Sequence, residues 1–272
     1  MFNLYRIISF IFLPFIFLII YLIIINNKED KKRYKERFGI ATISRPKKEI
    51  IWMHATSVGE FKSCKFVIES YYKKYQILIT TTTKSAAEYA NQYYGDKIIH
   101  QYAPFDIQIW VEKFLLYWKP KIVLWIESDL WPNTIFAIKK HKIESLFLNA
   151  RISPKSFERW NKIPNYYNKI LNTFNKIYAQ SKEDQKRLEI LSNSKIEFIG
   201  NLKLAKYSDE DTLYESNKNA KFNIMFASTH YGEEEKLLPL IKNLYHKYSS
   251  IQFYIAPRHP EKSNLIQKLF NQ

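Results

Sequence analysis

The chain has 272 residues, 46% of them hydrophobic and 17% aromatic, which is ample for a packed interior, excludes a disordered chain, and points to one large or two smaller domains. Its 42 Lys and Arg against 26 Asp and Glu give a formal charge of +16, which favours an anionic partner such as nucleic acid, an anionic lipid or a phosphorylated substrate, although the richness in Lys, Asn, Ile and Tyr also fits an AT-rich coding sequence. The single cysteine, Cys64, excludes an internal disulfide and suits a reducing compartment, as a buried thiol rather than a nucleophile.

Residues 7–25 are a run of 19 apolar positions interrupted only by Ser9, Pro14 and Tyr21, long enough to cross a bilayer as a helix. No small-residue cleavage site follows, so the run reads as an uncleaved anchor rather than a signal peptide. Arg6 precedes it, whereas Lys28, Lys31, Lys32, Arg33, Lys35 and Arg37 follow, which places the C-terminal side in the cytoplasm. That cluster also suits anionic headgroups. The organisation expected is an anchor at 1–27 and a basic juxtamembrane segment at 28–48.

From residue 49 to 208, β-rich apolar runs alternate with amphipathic segments. Strands are predicted near 50–53, 77–80, 97–100, 121–126, 145–148, 176–178 and 195–199. Helices are predicted near 60–73, 84–93, 107–117, 131–140, 154–174 and 182–191. Such alternation argues for a parallel sheet covered on both faces. Residues 209–220 are polar without apolar periodicity and read as a linker, after which a second α/β unit at 221–272 begins with strands at 222–227 and 251–255 around a helix at 234–248. Two strands cannot bury both faces of a sheet, so this second domain is expected to be incomplete.

The chemistry centres on residues 51–61, IWMHATSVGEF, which read as a strand, a tight loop and a helix start. Backbone amides at such a junction, with Gly59 beside them, make a site for a charged ligand. Glu60 is the residue there that could do chemistry. Its structural alternative is a capping box, because Ser57 and Glu60 stand three apart. Polar residues also follow each later strand: the threonines at 80–83, Asp106, the segment 127–133, Asn149 and Arg151, Gln180 and Ser181, and Lys203. In a parallel sheet they gather at one edge, where such folds bind ligands. Each has a structural alternative as a strand end or helix cap, Pro132 as a helix-start proline and Ser128 or Asp129 as an N-cap. Glu127 follows a strongly apolar run and should sit low in the cleft, where a cationic or hydroxyl partner is expected.

HATSVGE, the TTT run, YAPFD, ESDLWPN, NARIS with Lys155, Ser156 and Phe157 after it, GNLK, ASTHYGEEE and APRHPE follow one another between about residues 37 and 261. These eight ordered blocks resemble the signature blocks of the Kdo transferases, membrane-anchored glycosyltransferases that add 3-deoxy-D-manno-octulosonic acid to the lipid A precursor. The resemblance implies the two-Rossmann-domain GT-B architecture, with the first domain complete, the second partly present and an N-terminal transmembrane helix. It implies metal-independent, inverting transfer without a cofactor, from CMP-Kdo to lipid IVA at the cytoplasmic face of a bacterial inner membrane. The anionic lipid acceptor, CMP-Kdo and the membrane are then the partners, and nucleic acid is not.

By the same resemblance Glu60 is the catalytic base, Glu127 and Lys203 help to stabilise the transition state, and Pro257 and Arg258 belong to the CMP-binding surface. Ser57, Gly59, Thr82, Asn149 and Arg151 in the first domain, with Ser228, Thr229 and His230 in the second, are the further candidates for substrate contact. No metal ligands are expected. The family pattern continues through a glycine-rich block and a glutamate that hold the donor's phosphate and ribose, and no stretch of this chain matches them. A truncated, membrane-anchored domain that binds the acceptor without transferring sugar is therefore the alternative function.

Overall fold

All five residues of the first strand, β1 (Ile50–His54), are buried, so its alternating side chains feed two separate cores. Ile50 and Trp52 join one cluster with Phe114, Trp118, Trp125 and Phe147, while Ile51 and Met53 join another with Phe61, Ile68 and Ile79. An unbroken apolar run is what a parallel strand covered on both faces requires. The computed structural model describes residues 30–127, 129–205, 222–230, 232–248 and 250–270, with isolated positions among the first 22. The chain divides into two units, 1–209 and 210–272.

In the first unit β1 is followed by α1 (Val58–Lys62), α2 (Lys65–Tyr71), β2 (Gln76–Thr81), α3 (Lys84–Tyr94), β3 (Ile98–Tyr102), α4 (Gln108–Trp118) and β4 (Ile122–Ile126). Then come α5 (Pro132–Lys140), β5 (Glu144–Ala150), α6 (Pro154–Asn161), α7 (Pro164–Leu171), β6 (Lys176–Ala179), α8 (Lys182–Ser192) and β7 (Glu197–Phe198). The seven strands form one parallel sheet in the order β3-β2-β1-β4-β5-β6-β7. The order reverses between β1 and β4. Phe61 and Ile68 of α1 and α2 pack into one core, whereas Ile135 and Ile138 of α5 pack into the other. The chains leaving β1 and β4 therefore turn to opposite faces, and the crevice between them is where open α/β sheets take ligands.

Two predicted helices are each divided in the structure. The segment expected at 60–73 breaks into α1 and α2, where the amides of Ser63 and Cys64 bond to the carbonyls of Glu60 and Phe61, three residues back, and tighten the turn. The segment expected at 154–174 breaks before Pro164, which has no N–H to continue α6 and restricts the residue ahead of it.

Pro132 does open α5 at its first position, but the cap comes from elsewhere. Asp106, in the loop after β3, accepts from the amides of Asn133 at 3.0 Å and Thr134 at 2.7 Å and from the Thr134 hydroxyl at 2.7 Å. Asp129 instead turns its carbonyl to the Trp125 indole N–H at 2.7 Å, and Ser128 lies outside the described residues.

The basic segment after the apolar run is partly structural. Arg33 pairs with Glu36 at 3.0 Å and donates to the His100 carbonyl at 2.7 Å. Arg37 donates to the Thr82 carbonyl at 2.5 Å and lies 4.6 Å from the Tyr102 ring centre. These two arginines bind the segment to the sheet and are not available to headgroups, whereas Lys31, Lys32 and Lys35 are exposed. Gly39 turns the chain away at φ 69°, where an added Cβ would stand 2.1 Å from the Trp110 carbonyl oxygen. The span expected at 7–25 falls mostly outside the described residues. Among the described residues no helix is long and apolar enough to cross a membrane. Tyr5 donates to Asp106 at 2.9 Å, and Ser9 accepts from Asn133 at 3.4 Å.

The second unit contains β8 (Phe222–Thr229), α9 (Glu233–Lys247), β9 (Ile251–Pro257) and α10 (Ser263–Phe270). β8 and β9 pair in parallel from Phe222 and Ile251 onward, with a shift of register between Ala227 and Thr229. Phe222 and Met225 remain 67% and 64% exposed. The linker expected at 209–220 lies outside the described residues.

Candidate active site

Glu60 sits in the first turn of α1 with 7% of its surface exposed. The capping box forms by half. The Ser57 hydroxyl accepts from the Glu60 amide at 3.3 Å, as expected. The Glu60 carboxylate does not return to the Ser57 amide; its Oε2 accepts from the Thr56 amide at 2.5 Å and the Thr56 hydroxyl at 2.6 Å. Among the described residues Oε1 has no hydrogen-bond donor. Burial holds the Glu60 carboxyl above its ordinary pKa, against the two Thr56 bonds that favour its anion, and the nearby Glu127 and Asp129 charges add to the rise. A side chain at a helix start, where the amides would depress its basicity, is thus made a better base by desolvation.

Glu127 follows β4 at φ 64° and is 6% exposed. It has both kinds of partner the sequence calls for. Lys203 Nζ closes on its Oε1, the Ser63 hydroxyl donates to the same oxygen at 3.2 Å, and Asn149 Nδ2 approaches it at 3.4 Å. Lys203 comes from a single 3-10 turn, Leu202–Leu204, started by Asn201, whose side chain accepts from the Lys203 amide at 3.0 Å. The structure therefore brings Glu60, Glu127 and Lys203 to one edge of the sheet, with the ammonium as the more exposed partner of its pair.

The remaining candidates of the first unit divide into framework and surface. Thr82 spends its hydroxyl on the Thr56 carbonyl at 2.8 Å, so it holds the Glu60 loop. Gly59 is exposed, and an added Cβ would meet only Ser57 Oγ, at 3.7 Å; the backbone does not demand glycine there, which keeps the helix start uncovered. Asn149 is fully buried at φ 53°. Arg151 is exposed, anchored by its amide to the Glu127 carbonyl at 3.2 Å, and lines a surface pocket with Ser153, Ser156 and Trp160. Thr56 and Ser63 escape sequence reasoning as contributors. Thr56 stands within the quoted block, whereas nothing in the sequence marks Ser63.

In the second unit, Ser228, Thr229, His230, Pro257 and Arg258 collect at the carboxyl ends of β8 and β9. Thr229 pairs in register with Pro257, and its carbonyl accepts from the Arg258 amide at 3.0 Å. Ser228 holds φ 61°, and the Thr229 hydroxyl donates to the buried Glu234 at 2.6 Å. The His230 amide donates to Glu233 at 2.8 Å, and His230 and Arg258 are both exposed. Thr229, Gly232, Glu234, Pro257 and His259 line a pocket against α10. Among the described residues no group of three His, Cys, Asp or Glu side chains is placed to hold a metal ion.

Known proteins resemble this chain in sequence and in fold. Residues 32–206 match the family model described as 3-deoxy-D-manno-octulosonic-acid transferase (kdotransferase). The chain is 35% identical to the 3-deoxy-D-manno-octulosonic acid transferase of Rickettsia bellii, over 96% of this chain and 64% of that protein. It is 28% identical to the enzyme of the same name from Haemophilus influenzae, over 95% of this chain and 64% of that protein. It thus spans a little under two thirds of the length of these relatives. Among solved structures, the UDP-GlcNAc 2-epimerase of Neisseria meningitidis bound to UDP-GlcNAc superposes with a TM-score of 0.57 at 15% identity, over 82% of this chain and 69% of that one. That likeness establishes an α/β, GT-B-like fold. With the family model covering the sheet and the edge that carries Glu60, Glu127 and Lys203, the chain belongs to the 3-deoxy-D-manno-octulosonic-acid (Kdo) transferase family.

Proposed function

We propose that this chain belongs to an enzyme that transfers Kdo from CMP-Kdo to lipid IVA, with inversion and without a metal ion, at the cytoplasmic face of a bacterial inner membrane. The run at 7–25 is its anchor, and the exposed lysines after it face the headgroups. The observation that carries the proposal is Glu60: a buried carboxylate of raised basicity, with one oxygen held by Thr56 and the other without a donor among the described residues.

In this reading Glu60 Oε1 takes the proton of the acceptor hydroxyl as that oxygen forms its bond to the anomeric carbon of Kdo. The bond from that carbon to the CMP phosphate breaks with its electron pair, and CMP leaves. Positive charge is needed on the leaving side, and in the first unit Lys203 is the donor suited to it. Glu127 holds the Lys203 ammonium in place. Anionic acceptor, membrane and net charge of +16 then share one explanation.

The test is transfer by the protein in membranes, followed as the mass gain of lipid IVA with CMP-Kdo supplied. Glu60→Gln should lower turnover by about 10²–10⁴-fold, the usual worth of a general base, while acceptor binding stays within about threefold. Undiminished transfer by the variant would remove Glu60 from its role. Acceptor binding without any transfer by the wild-type protein would favour the non-catalytic alternative.

A further inference from the structure

Glu127 and Asn149 end neighbouring strands, and both hold left-handed backbone, at φ 64° and 53°. Non-glycine residues persist in that region only where their surroundings over-determine them. For Asn149 the surroundings are explicit. Its side chain is fully buried, Nδ2 approaches Glu127 Oε1 at 3.4 Å, and Oδ1 accepts from the Leu202 amide at 3.1 Å. An acceptor on one side and a donor on the other fix which end of the amide is which. Leu202 opens the turn that carries Lys203, and Lys203 closes on the same Glu127 oxygen. Ser63, three residues after Glu60, donates to that oxygen as well, at 3.2 Å.

We propose that Asn149 is a positioning residue, a clamp that ties the backbone at Leu202 to Glu127 and so fixes the Lys203 ammonium relative to the helix bearing Glu60. This rests on the functional reading above, in which Lys203 serves the leaving side. Both ends of the amide are engaged within the protein and the side chain has no exposed surface, so Asn149 acts through Lys203 rather than on a substrate. The residue type follows from the contacts. Aspartate would set a second carboxylate against Glu127, and aliphatic side chains would offer Leu202 no acceptor.

The experiment uses Asn149→Gly, because glycine adopts the positive φ freely and removes only the side chain. Hydrogen exchange is read on a peptide covering residues 199–206, together with transfer kinetics. Exchange at Leu202 should quicken by about tenfold or more while β1 and β4 keep their protection, since a single local bond is lost. The kcat should fall by about tenfold with KM for the acceptor nearly unchanged, and adding Lys203→Ala should lower it by less than about threefold more, as expected for residues acting as one unit. Asn149→Asp keeps an acceptor for Leu202, so it should restore slow exchange without restoring kcat. Unchanged exchange at Leu202, loss of protection spread across β1 and β4, or an unchanged kcat would each overturn the clamp. A wild-type protein without transfer would instead defeat the functional reading, and exchange at Leu202 would still decide whether Asn149 holds that backbone.

Discussion

Glu60 accepts both its hydrogen bonds from Thr56, four residues earlier, at 2.5 Å from the amide and 2.6 Å from the hydroxyl. A carboxylate that would have capped its own helix is instead drawn to the end of β1 and buried, and this has a consequence for stability. Burial makes the folded chain hold the Glu60 proton more tightly than the unfolded chain does. Below about pH 4 the group is protonated in both states; as pH rises through the raised folded value, stability is lost. Glu60→Gln escapes that loss. It should be more stable than the parent at pH 7 and equal to it near pH 4. Urea unfolding at the two pH values checks this, and a variant less stable at pH 7 would contradict it.

His54 and His100 act in the opposite direction. Burial pushes His54 down to about 3. Burial, with the Arg33 and Arg37 charges, also pushes His100 down to about 3. Both stay neutral in the fold, whereas in the unfolded chain they take up protons below about pH 6.5. Their contribution is present above that value and is lost as pH falls through the window, at up to about 1.4 kcal/mol per pH unit for each. Unfolding free energies at pH 7, 6 and 5 should fall accordingly. His100→Gln should reduce the slope.

Asp106→Ala removes the cap that α5 borrows from the loop after β3 and leaves the Asn133 and Thr134 amides without their acceptor. The expected cost is about 2 kcal/mol, within the range for lost caps and unsatisfied buried donors. Denaturant unfolding measures it. Asp106→Asn, which keeps a carbonyl oxygen, should cost less.

Lys203→Met leaves the Glu127 carboxylate buried with, among the described residues, Ser63 and Asn149 as its donors. Because Lys203 is about one third exposed, the loss is smaller than for a fully buried pair, on the order of 1 kcal/mol. Glu127→Gln in the same background should recover part of it, since a neutral amide needs no cation. A double-mutant cycle on thermal unfolding reads the coupling.

The Cys64 thiol is fully buried and burial raises its pKa, so it should resist thiol reagents in the native chain. Its labelling rate should follow the unfolding of α1 and α2, rising with denaturant. Fast labelling of the native protein would show that this core opens locally.

The α/β alternation is legible in the sequence, because strands buried on both faces read as unbroken apolar runs such as 50–53 and 122–126. The sequence also carries the ordered blocks by which the family is recognised, and Glu60, Glu127 and Lys203 lie in them. It put one helix at 60–73 and one at 154–174 because apolar periodicity continues through Ser63 and across Pro164, whereas the backbone bonds there reach three residues back rather than four. What each polar residue faces follows from the packing of the folded chain. Arg33 and Arg37 read as part of a basic patch and are bound to the sheet through Glu36, His100 and Tyr102. Thr82 and Asn149 read as ligand contacts and hold loops to one another. Ser63 carries no signal at all and donates to a carboxylate 64 positions away. The reason is that strand order is not written locally: β1 and β4 become neighbours through the packing of the whole sheet, and only that adjacency places Glu60 and Glu127 across one crevice.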